Sequence, residues 1–365
     1  MHRLDRIQVA GFKSIRDQTI ELRALNVLIG ANGAGKSNFI QVFRLLHEIV
    51  NENLQLFAAQ SGGADRLIHF GRKSTDEMQF HLWFSKNAYR CRLLPAAGDS
   101  LVFGEERIHY RYPTTGYDFD VSLGQGHKET LLKQEANIYG HGSIAAYVIA
   151  ALQDWKVYHF HDTSAAARVK QTVDLADNAA LRADAGNLAA FLYRLQETEA
   201  SIFRNITETV RLVAPYFGNF DLRPDRLNPE KIRLEWKEKG ADEYFDANAL
   251  SDGTLRFLCL ATLLLQPEPP TTVLIDEPEL GLHPYAIVVL ADLLRAAAER
   301  TQVIVSTQSV TLVNQLSPED VIVVDREEGA SIFRRPSSTD LESWLDGYSL
   351  GELWEKNVLG GRPRS

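Results

Sequence analysis

The segment that most restricts the fold of this chain is GANGAGKS, residues 30–37, which fits the pattern G-x-x-x-x-G-K-[S/T] in full. It lies between the apolar run LNVLI and the helix-like run NFIQVF, the strand-to-helix position that a phosphate-binding loop requires. Glycines let successive backbone N–H groups point inward at phosphate oxygens, and the start of the helix adds a partial positive charge. The pattern therefore predicts an α/β nucleotide-binding fold.

Individual residues of this loop have expected roles. Lys36 reaches the β- and γ-phosphates as a point charge, and the Ser37 hydroxyl is offered to Mg²⁺. The alternative interpretation is an ordinary glycine-rich turn between a strand and a helix. The residues expected to contact the nucleotide are Gly30, Ala31, Asn32, Gly33, Ala34, Gly35, Lys36, Ser37 and Asn38.

Two adjacent carboxylates end a second apolar run, TTVLIDEP at residues 271–278. Because consecutive residues of an ending strand point in different directions, Asp276 and Glu277 can have two roles in one site. We expect Asp276 to bind Mg²⁺, directly or through its second shell, and Glu277 to accept a proton from the attacking water. The alternative is an acid before Pro278 that only caps the chain locally.

A third segment, LSDGT at residues 250–254, precedes the helix-like run LRFLCLATLLL. Ser251 and Gly253 at a helix start form an anion site, because the start offers N–H donors, a hydroxyl and the favourable end of the helix dipole. On its own the segment is a helix cap. It lies 22 residues (276 − 254) before the acid pair, and this spacing favours a shared function.

The rest of the chain alternates between strand-like and helical stretches. The short buried runs VLID, VIVST and VIVVD, with helix-like segments between them, are typical of a mostly parallel, covered sheet. We predict a discontinuous α/β core at 1–60 and 216–335, an antiparallel β lobe at 61–140, an inserted helical lobe at 141–215 and a tail at 336–365 that packs on the core or on a partner.

Composition excludes several other classes of protein. An apolar content of 45% in 365 residues predicts a globular protein with a real core, and no apolar stretch approaches membrane-spanning length. No secretory signal is visible, so a cytoplasmic location is expected. Two cysteines without CxxC spacing predict buried, inert thiols. The net charge of −9 disfavours indiscriminate coating of nucleic acid.

GANGAGKS, LSDGT and LIDEPELGLHP, in that order, resemble the head domains of ABC-type ATPases. GFKSI at residues 11–15 resembles the start of the branch that contains RecF, SMC and overcoming-lysogenization-defect proteins. The resemblance implies ATP and Mg²⁺ as cofactors and a homodimer that forms on ATP binding. Each ATP would then be held by the loop at 30–37 of one copy and by Ser251 and Gly253 of the other.

In ABC-type heads the strand after the acid-pair strand usually ends at a switch histidine that contacts the γ-phosphate. Here the run VIVSTQS, residues 303–309, places Gln308 at that position. An amide can donate a hydrogen bond to a phosphate oxygen, but it cannot carry charge or relay a proton. We expect Gln308 to sense the γ-phosphate while Glu277 alone does the base chemistry, giving slow turnover. The alternative is that Gln308 caps the following helix.

Further candidates are less specific. His159, His161 and Asp162 in YHFHDTS are candidates for contact with the nucleotide or Mg²⁺, or for a simple hydrogen-bonded turn, which is commoner than a separate metal site. The candidate basic groups for DNA contact are Arg66, Arg72, Lys73, Arg168, Lys170, Arg334 and Arg335, and most such clusters are only a solvated face.

The expected function is Mg²⁺-dependent ATP hydrolysis coupled to head dimerisation, which resembles RecF-like regulation of DNA repair or of anti-phage defence. Only 89 residues (365 − 276) follow Asp276, so a nuclease would be a separately encoded partner. DNA is a second candidate partner, and no membrane contact is expected. The alternatives are the ATP-binding subunit of a transporter and a non-hydrolysing nucleotide switch.

Overall fold

The computed structural model of the chain describes residues 3–111, 118–337, 341, 344 and 347–361. The chain forms two compact units. The first comprises Met1–Lys156, Pro270–Leu274 and Ser317–Ser365, and the second comprises Val157–Pro269 and Ile275–Leu316.

The secondary-structure elements follow in chain order. The strands are β1 (Arg6–Phe12), β2 (Ile15–Glu21), β3 (Leu25–Ile29), β4 (Met78–Phe84), β5 (Asn87–Ala96), β6 (Ser100–Arg111), β7 (Asp118–Gly124), β8 (Trp155–Tyr158), β9 (Val173–Asp174), β10 (Phe217–Phe220), β11 (Lys231–Ile232), β12 (Glu235–Glu238), β13 (Tyr244–Asp246), β14 (Thr272–Asp276), β15 (Gln302–Thr307), β16 (Val321–Glu327) and β17 (Ala330–Arg334). The helices are α1 (Lys36–Val50), α2 (Leu54–Gln60), α3 (Ala64–Leu67), α4 (Leu132–Tyr139), α5 (Ile144–Gln153), α6 (Leu188–Thr198), α7 (Ala200–Val213), α8 (Asp252–Leu265), α9 (Pro284–Ala298), α10 (Val310–Val313) and α11 (Leu350–Glu355).

An antiparallel sheet in the first unit has the strand order β2-β1-β4-β5-β6-β7. Its strands alternate between buried and more exposed residues, as MQFHLWF in β4 shows with every second side chain buried. Such alternation is expected of a sheet with one face on a core. The first strand pair, β1 and β2, encloses the GFKSI turn that identified the family resemblance.

The strand that leads into the phosphate loop is covered on both faces. All five residues of β3 are buried, and the strand pairs in parallel with β16, with Val27 opposite Val321. On its other side β16 pairs antiparallel with β17. The helix α1 follows and buries Phe39, Val42 and Phe43, so the predicted strand–loop–amphipathic-helix unit is confirmed.

The second unit contains α6, α7, α8, α9 and α10. The signature run LRFLCLATLLL forms α8, which is buried almost throughout and packs against α7 and α9. All six residues of β15 are buried, including Ser306 and Thr307 with no exposed surface. Backbone N–H and C=O groups at a buried strand end need hydrogen-bond partners, and the polar side chains there can supply them.

Three smaller expectations can be compared with the structure. Cys91 and Cys259 are both buried and unbridged, and burial raises the pKa of the Cys259 thiol to about 12, as predicted for inert thiols. Within the described part of the tail, Leu353 and Trp354 are buried, so this part packs on the first unit. No helix among the described residues has the length and apolar character of a membrane span. The predicted domain boundaries stay a prediction.

Candidate functional site

The phosphate loop approaches its neighbouring strands too closely for side chains at two positions. Gly30 has φ +154°, and a Cβ added there would lie 2.2 Å from the carbonyl oxygen of Val324. Gly35 has φ +119°, and its Cβ would lie 2.0 Å from Oγ of Ser331. Both conformations are ones that side-chain-bearing residues rarely adopt. The path of the loop therefore requires glycine at both positions, with β16 and β17 beneath it.

Lys36 is buried at the start of α1 and turned toward the loop. Its Nζ donates to the carbonyl oxygens of Gly30, at 2.6 Å, and Ala31, at 3.1 Å. Among the described residues no side chain caps the start of α1, and its first turn has no acidic residue. The ammonium group and the positive end of the helix dipole thus act at the same loop, which is the electrostatic arrangement that phosphate groups favour.

A relay of side-chain hydrogen bonds fixes the loop to two distant segments. Asn38 Nδ2 donates to Ser14 Oγ at 2.7 Å, Ser14 Oγ lies 2.6 Å from Ser331 Oγ, and Ser331 Oγ contacts the carbonyl oxygen of Ala34. A carbonyl only accepts and a hydroxyl has one proton, so Ser331 must donate to Ala34 and accept from Ser14. This direction leaves every member of the relay satisfied. The sequence analysis did not identify Ser14 or Ser331 as site residues.

Two further contacts hold the outer part of the loop. The backbone N–H of Ala31 donates to the carbonyl of Gly361 at 2.7 Å, so the described end of the tail lies against the loop. The guanidinium of Arg326, an exposed residue, donates from Nη1 to the carbonyl of Gly33 at 3.3 Å and from Nε to Gly329 at 3.1 Å. The loop is thereby anchored to the tail through Ala31 and to the β16–β17 turn through Gly33.

Two contacts orient Asp276, which lies at the end of β14 in the second unit. Ser306 Oγ donates to Asp276 Oδ1 at 2.5 Å, and His161 Nε2 lies 2.8 Å from the backbone carbonyl of Asp276. Because a carbonyl can only accept, His161 must carry its proton on Nε2. The carboxylate is an oxygen donor of the kind that Mg²⁺ prefers, as is the exposed hydroxyl of Ser37 in the first unit.

Glu277 occupies a left-handed backbone conformation, with φ +47°. Its N–H donates to the carbonyl of Ser306 at 2.8 Å, which pins the strained residue to β15. Non-glycine residues in this region are uncommon and concentrate at functional sites. Its Oε1 accepts a hydrogen bond from Nε2 of Gln308. The alternative that Gln308 caps the next helix is wrong, because the Ser309 side chain caps α10.

A third acid, Glu279, lies beneath this pair and was missed from the sequence. Its Oε1 accepts from Thr307 Oγ1 at 2.6 Å and from the backbone N–H of Gln308 at 3.1 Å. Its Oε2 is buried without a partner among the described residues. Burial raises the pKa of this carboxyl, and the bond from Thr307 opposes the shift. Glu279 thus fixes the backbone that presents Gln308 to Glu277.

The predicted signature helix begins as expected. Ser251 is the N-cap of α8, and its Oγ accepts from the backbone N–H of Thr254 at 3.1 Å. A Cβ at Gly253 would lie 2.6 Å from the carbonyl oxygen of Gly281, which follows the acid pair. Gly253 therefore permits α8 to pack closely against the loop that follows Asp276 and Glu277, which we call the acid loop.

Arg256, one turn further along α8, joins three segments of the second unit. Its Nη1 donates to the carbonyl of Leu280 and its Nη2 to the carbonyl of His161, both at 2.9 Å. The signature helix, the acid loop and the HDTS segment are therefore linked through one guanidinium. No sequence motif pointed to this arginine, since both of its partners are backbone carbonyls.

His161 and Asp162 of the HDTS segment, residues 161–164, make separate contacts. His161 contacts Asp276 as described above, whereas Asp162 accepts from the backbone N–H of Ser164 at 3.1 Å in a local turn. Hydrogen bonds from Ser164 lower the pKa of Asp162. Within the described ranges, no group of three or more His, Cys, Asp or Glu side chains is placed to hold a metal ion.

Some candidate basic groups are engaged in contacts within the chain. Arg72 is paired with Asp65 and Asp99, and Arg334 donates to the carbonyl of Leu359 at 2.8 Å. Arg335 is partly buried, and burial lowers its pKa to about 10. Arg72 and Arg335 are therefore weaker candidates for DNA contact than a solvated arginine, because the charge of Arg72 is offset and that of Arg335 is partly buried.

Residues 25–314 match the family described as "AAA domain, putative AbiEii toxin, Type IV TA system". The chain belongs to this family. No curated protein is detectably similar to it in sequence.

Solved SMC heads share the fold. One match is an SMC head bound to the C-terminal winged-helix domain of ScpA, with 17% identity, a TM-score of 0.55 and coverage of 94% of this chain and 99% of that one. Heads from Pyrococcus furiosus (16%, TM-score 0.57) and Pyrococcus yayanosii (15%, TM-score 0.51) each match over 95% of this chain and 99% of theirs. The predicted α/β fold of an ABC- and SMC-type ATPase head is confirmed.

The hydroxyl relay predicts an effect on nucleotide affinity. Ser331→Ala removes the donor to Ala34, and Ser14→Ala removes the donor to Ser331, so each variant is expected to weaken ATP binding roughly 5-fold, the value of one hydrogen bond. The double variant should be weaker than either single variant but less than additive, because both residues belong to one relay. Isothermal titration calorimetry measures this. Ser122→Ala, on an exposed part of β7, is the control, and equal affinities for all variants would contradict the relay.

Glu279 predicts a dependence of stability on pH. Its folded pKa is raised, so the folded state holds the proton more tightly than the unfolded state, and wild-type stability falls as pH rises through this window. Relative to Glu279→Gln, wild type should therefore lose free energy of unfolding as the pH rises above about 4, the ordinary pKa of a glutamate. Urea unfolding at several pH values measures the difference. A difference for Glu279→Gln that stays constant with pH would exclude this role of burial.

Proposed function

We propose that the protein is a Mg²⁺-dependent ATPase whose heads dimerise when ATP binds. The observation that carries the proposal is the arrangement around Glu277: a carboxylate in a left-handed backbone conformation, pinned to β15 and bonded by the Gln308 amide. A carboxylate fixed in this way is suited to act as a general base. Membership of the family supports ATP as the nucleotide.

Each residue of the site has its own role in binding or hydrolysing ATP. Lys36 and the N–H groups at the start of α1 bind the phosphates, and Glu277 accepts the proton of the attacking water. Ser37 and Asp276 would hold Mg²⁺, which when bound offsets the negative charge of the phosphates. Gln308 donates to Glu277 and fixes the direction of its carboxylate, but an amide cannot relay a proton. We infer slow turnover, as suits a switch.

The exposure of the signature segment LSDGT supports the proposed dimer. Ser251 and Asp252 at the start of α8 are both exposed, so that a nucleotide bound to another copy can reach this helix start. Leu280 and Tyr285, which flank the acid loop, are 45% and 53% exposed. Exposed apolar side chains beside a polar site support contact with a second copy. Ser251 and Gly253 of one copy would then complete the site that holds the nucleotide of the other.

The biological role is proposed from the family description and from the matched SMC heads. The family description names a toxin of a toxin–antitoxin system, which supports anti-phage defence over DNA repair among the two roles expected from the sequence. Two of the matched SMC heads are bound to a domain of a separate polypeptide, ScpA. This supports a separately encoded partner, for which a nuclease is our candidate, with DNA as a further ligand of the complex.

The shared-site dimer predicts how hydrolysis responds to concentration. Specific ATPase activity should rise with protein concentration and fall by roughly 100-fold or more in Glu277→Gln, because that variant loses its general base. Ser251→Arg should lose activity but still bind ATP, since the phosphate loop is intact. The measurement is steady-state phosphate release with and without duplex DNA. Activity that is independent of concentration and unchanged by Ser251→Arg would indicate a monomeric ATPase in which LSDGT is only a helix cap.

A further inference from the structure

One exposed aromatic residue of the first unit lies beside the phosphate loop without an assigned role. Phe70 is 58% exposed and has φ +56°, in the left-handed region. A bulky residue with a positive φ is an outlier that persists only where the surroundings hold it. We propose that Phe70 is the platform on which the base of the bound nucleotide stacks. The inference rests on the proposed nucleotide-binding function and extends it to the nucleoside.

The segment before Phe70 is fastened to the GFKSI turn. Lys13 N–H donates to the carbonyl of Leu67 at 2.8 Å, and the His69 N–H donates to the carbonyl of Gly11 at 2.9 Å. The side chain of His69 also contributes, with Nδ1 donating to the Lys13 carbonyl at 2.6 Å. Since Ser14 in the same turn belongs to the hydroxyl relay, the segment at 67–69 and the phosphate loop are held by one turn.

A second chain of contacts places Phe70 next to the loop. A Cβ at Gly329 would lie 2.7 Å from Cζ of Phe70, so the ring occupies space that only a glycine leaves open. The carbonyl of Gly329 accepts from Nε of Arg326, and Nη1 of the same guanidinium donates to the carbonyl of Gly33 in the loop. One planar guanidinium group therefore spans the distance between the loop and the residue against which Phe70 packs.

The ring is also held on one side. The ring centroids of His69 and Phe70 are 4.3 Å apart, and His69 is 3% exposed, so a buried imidazole supports an exposed phenyl group. A ring supported in this way loses little further freedom when a ligand stacks on it. When the phosphates of a nucleotide occupy the loop, its base is the flat, apolar part that remains to contact Phe70. Every nucleobase offers a flat π-face to an aromatic side chain.

The test compares a nucleotide with a ligand that has its phosphates but no base. Phe70→Ala is expected to weaken ATP binding roughly 5- to 100-fold, the effect of one base–aromatic stack, and to leave inorganic tripolyphosphate binding unchanged. Phe70→Trp should keep ATP affinity and give an emission change with ATP that tripolyphosphate does not give. Isothermal titration calorimetry and fluorescence on the full chain provide both readouts. Tyr139→Ala, 69% exposed elsewhere in the first unit, is the matched control.

Three results would overturn the inference. Unchanged ATP affinity in Phe70→Ala would exclude stacking, and the surface would then suit a second copy or another protein. Equal weakening of ATP and tripolyphosphate would show that Phe70 only supports the loop. Wild-type protein that binds neither ligand would overturn nucleotide binding itself, and this inference with it.

Discussion

The contact between the phosphate loop and the two strands beneath it is the constraint on which the rest of the site depends. Gly35 lies so close to Ser331 that even a methyl group would clash, and Ser331 in turn is bonded to Ser14, 317 residues away in sequence. The loop therefore acquires its shape only when the first and last thirds of the chain have come together. Because backbone groups are held by tertiary contacts, the loop is pre-organised for phosphate.

The acid loop of the second unit is also held by hydrogen bonds between side chains and backbone, here through carboxylates and an amide. Glu279, half-buried and with a raised pKa, holds the backbone of Gln308, and Gln308 holds the carboxylate of Glu277. Where related heads usually have a histidine, the amide supplies a hydrogen bond without a titratable proton. Arg256 links this loop to the signature helix through the carbonyl of Leu280.

Much of this site could be predicted from local sequence, because short motifs specify local backbone. The strand before GANGAGKS, the helix after it and the Ser251 cap all follow from patterns of a few residues. Ser14, Ser331 and Arg256 could not be found in this way, since ordinary residue types become functional only through distant backbone partners. Glu279 can be seen in the sequence as a third acid in the run DEPE, two positions after the proposed base. Phe70 left none, because neither its exposure nor its positive φ can be read from sequence.

The central claim is that each ATP is held by the phosphate loop of one copy and the signature of another. Mixing two inactive variants, Lys36→Ala and Ser251→Arg, tests it directly by ATP hydrolysis. A mixed dimer contains one intact loop opposite one intact signature, so the account predicts recovery toward about a quarter of wild-type activity, since about half of randomly formed dimers are mixed and each has one of two sites intact. A mixture no more active than its separate components would contradict the shared site.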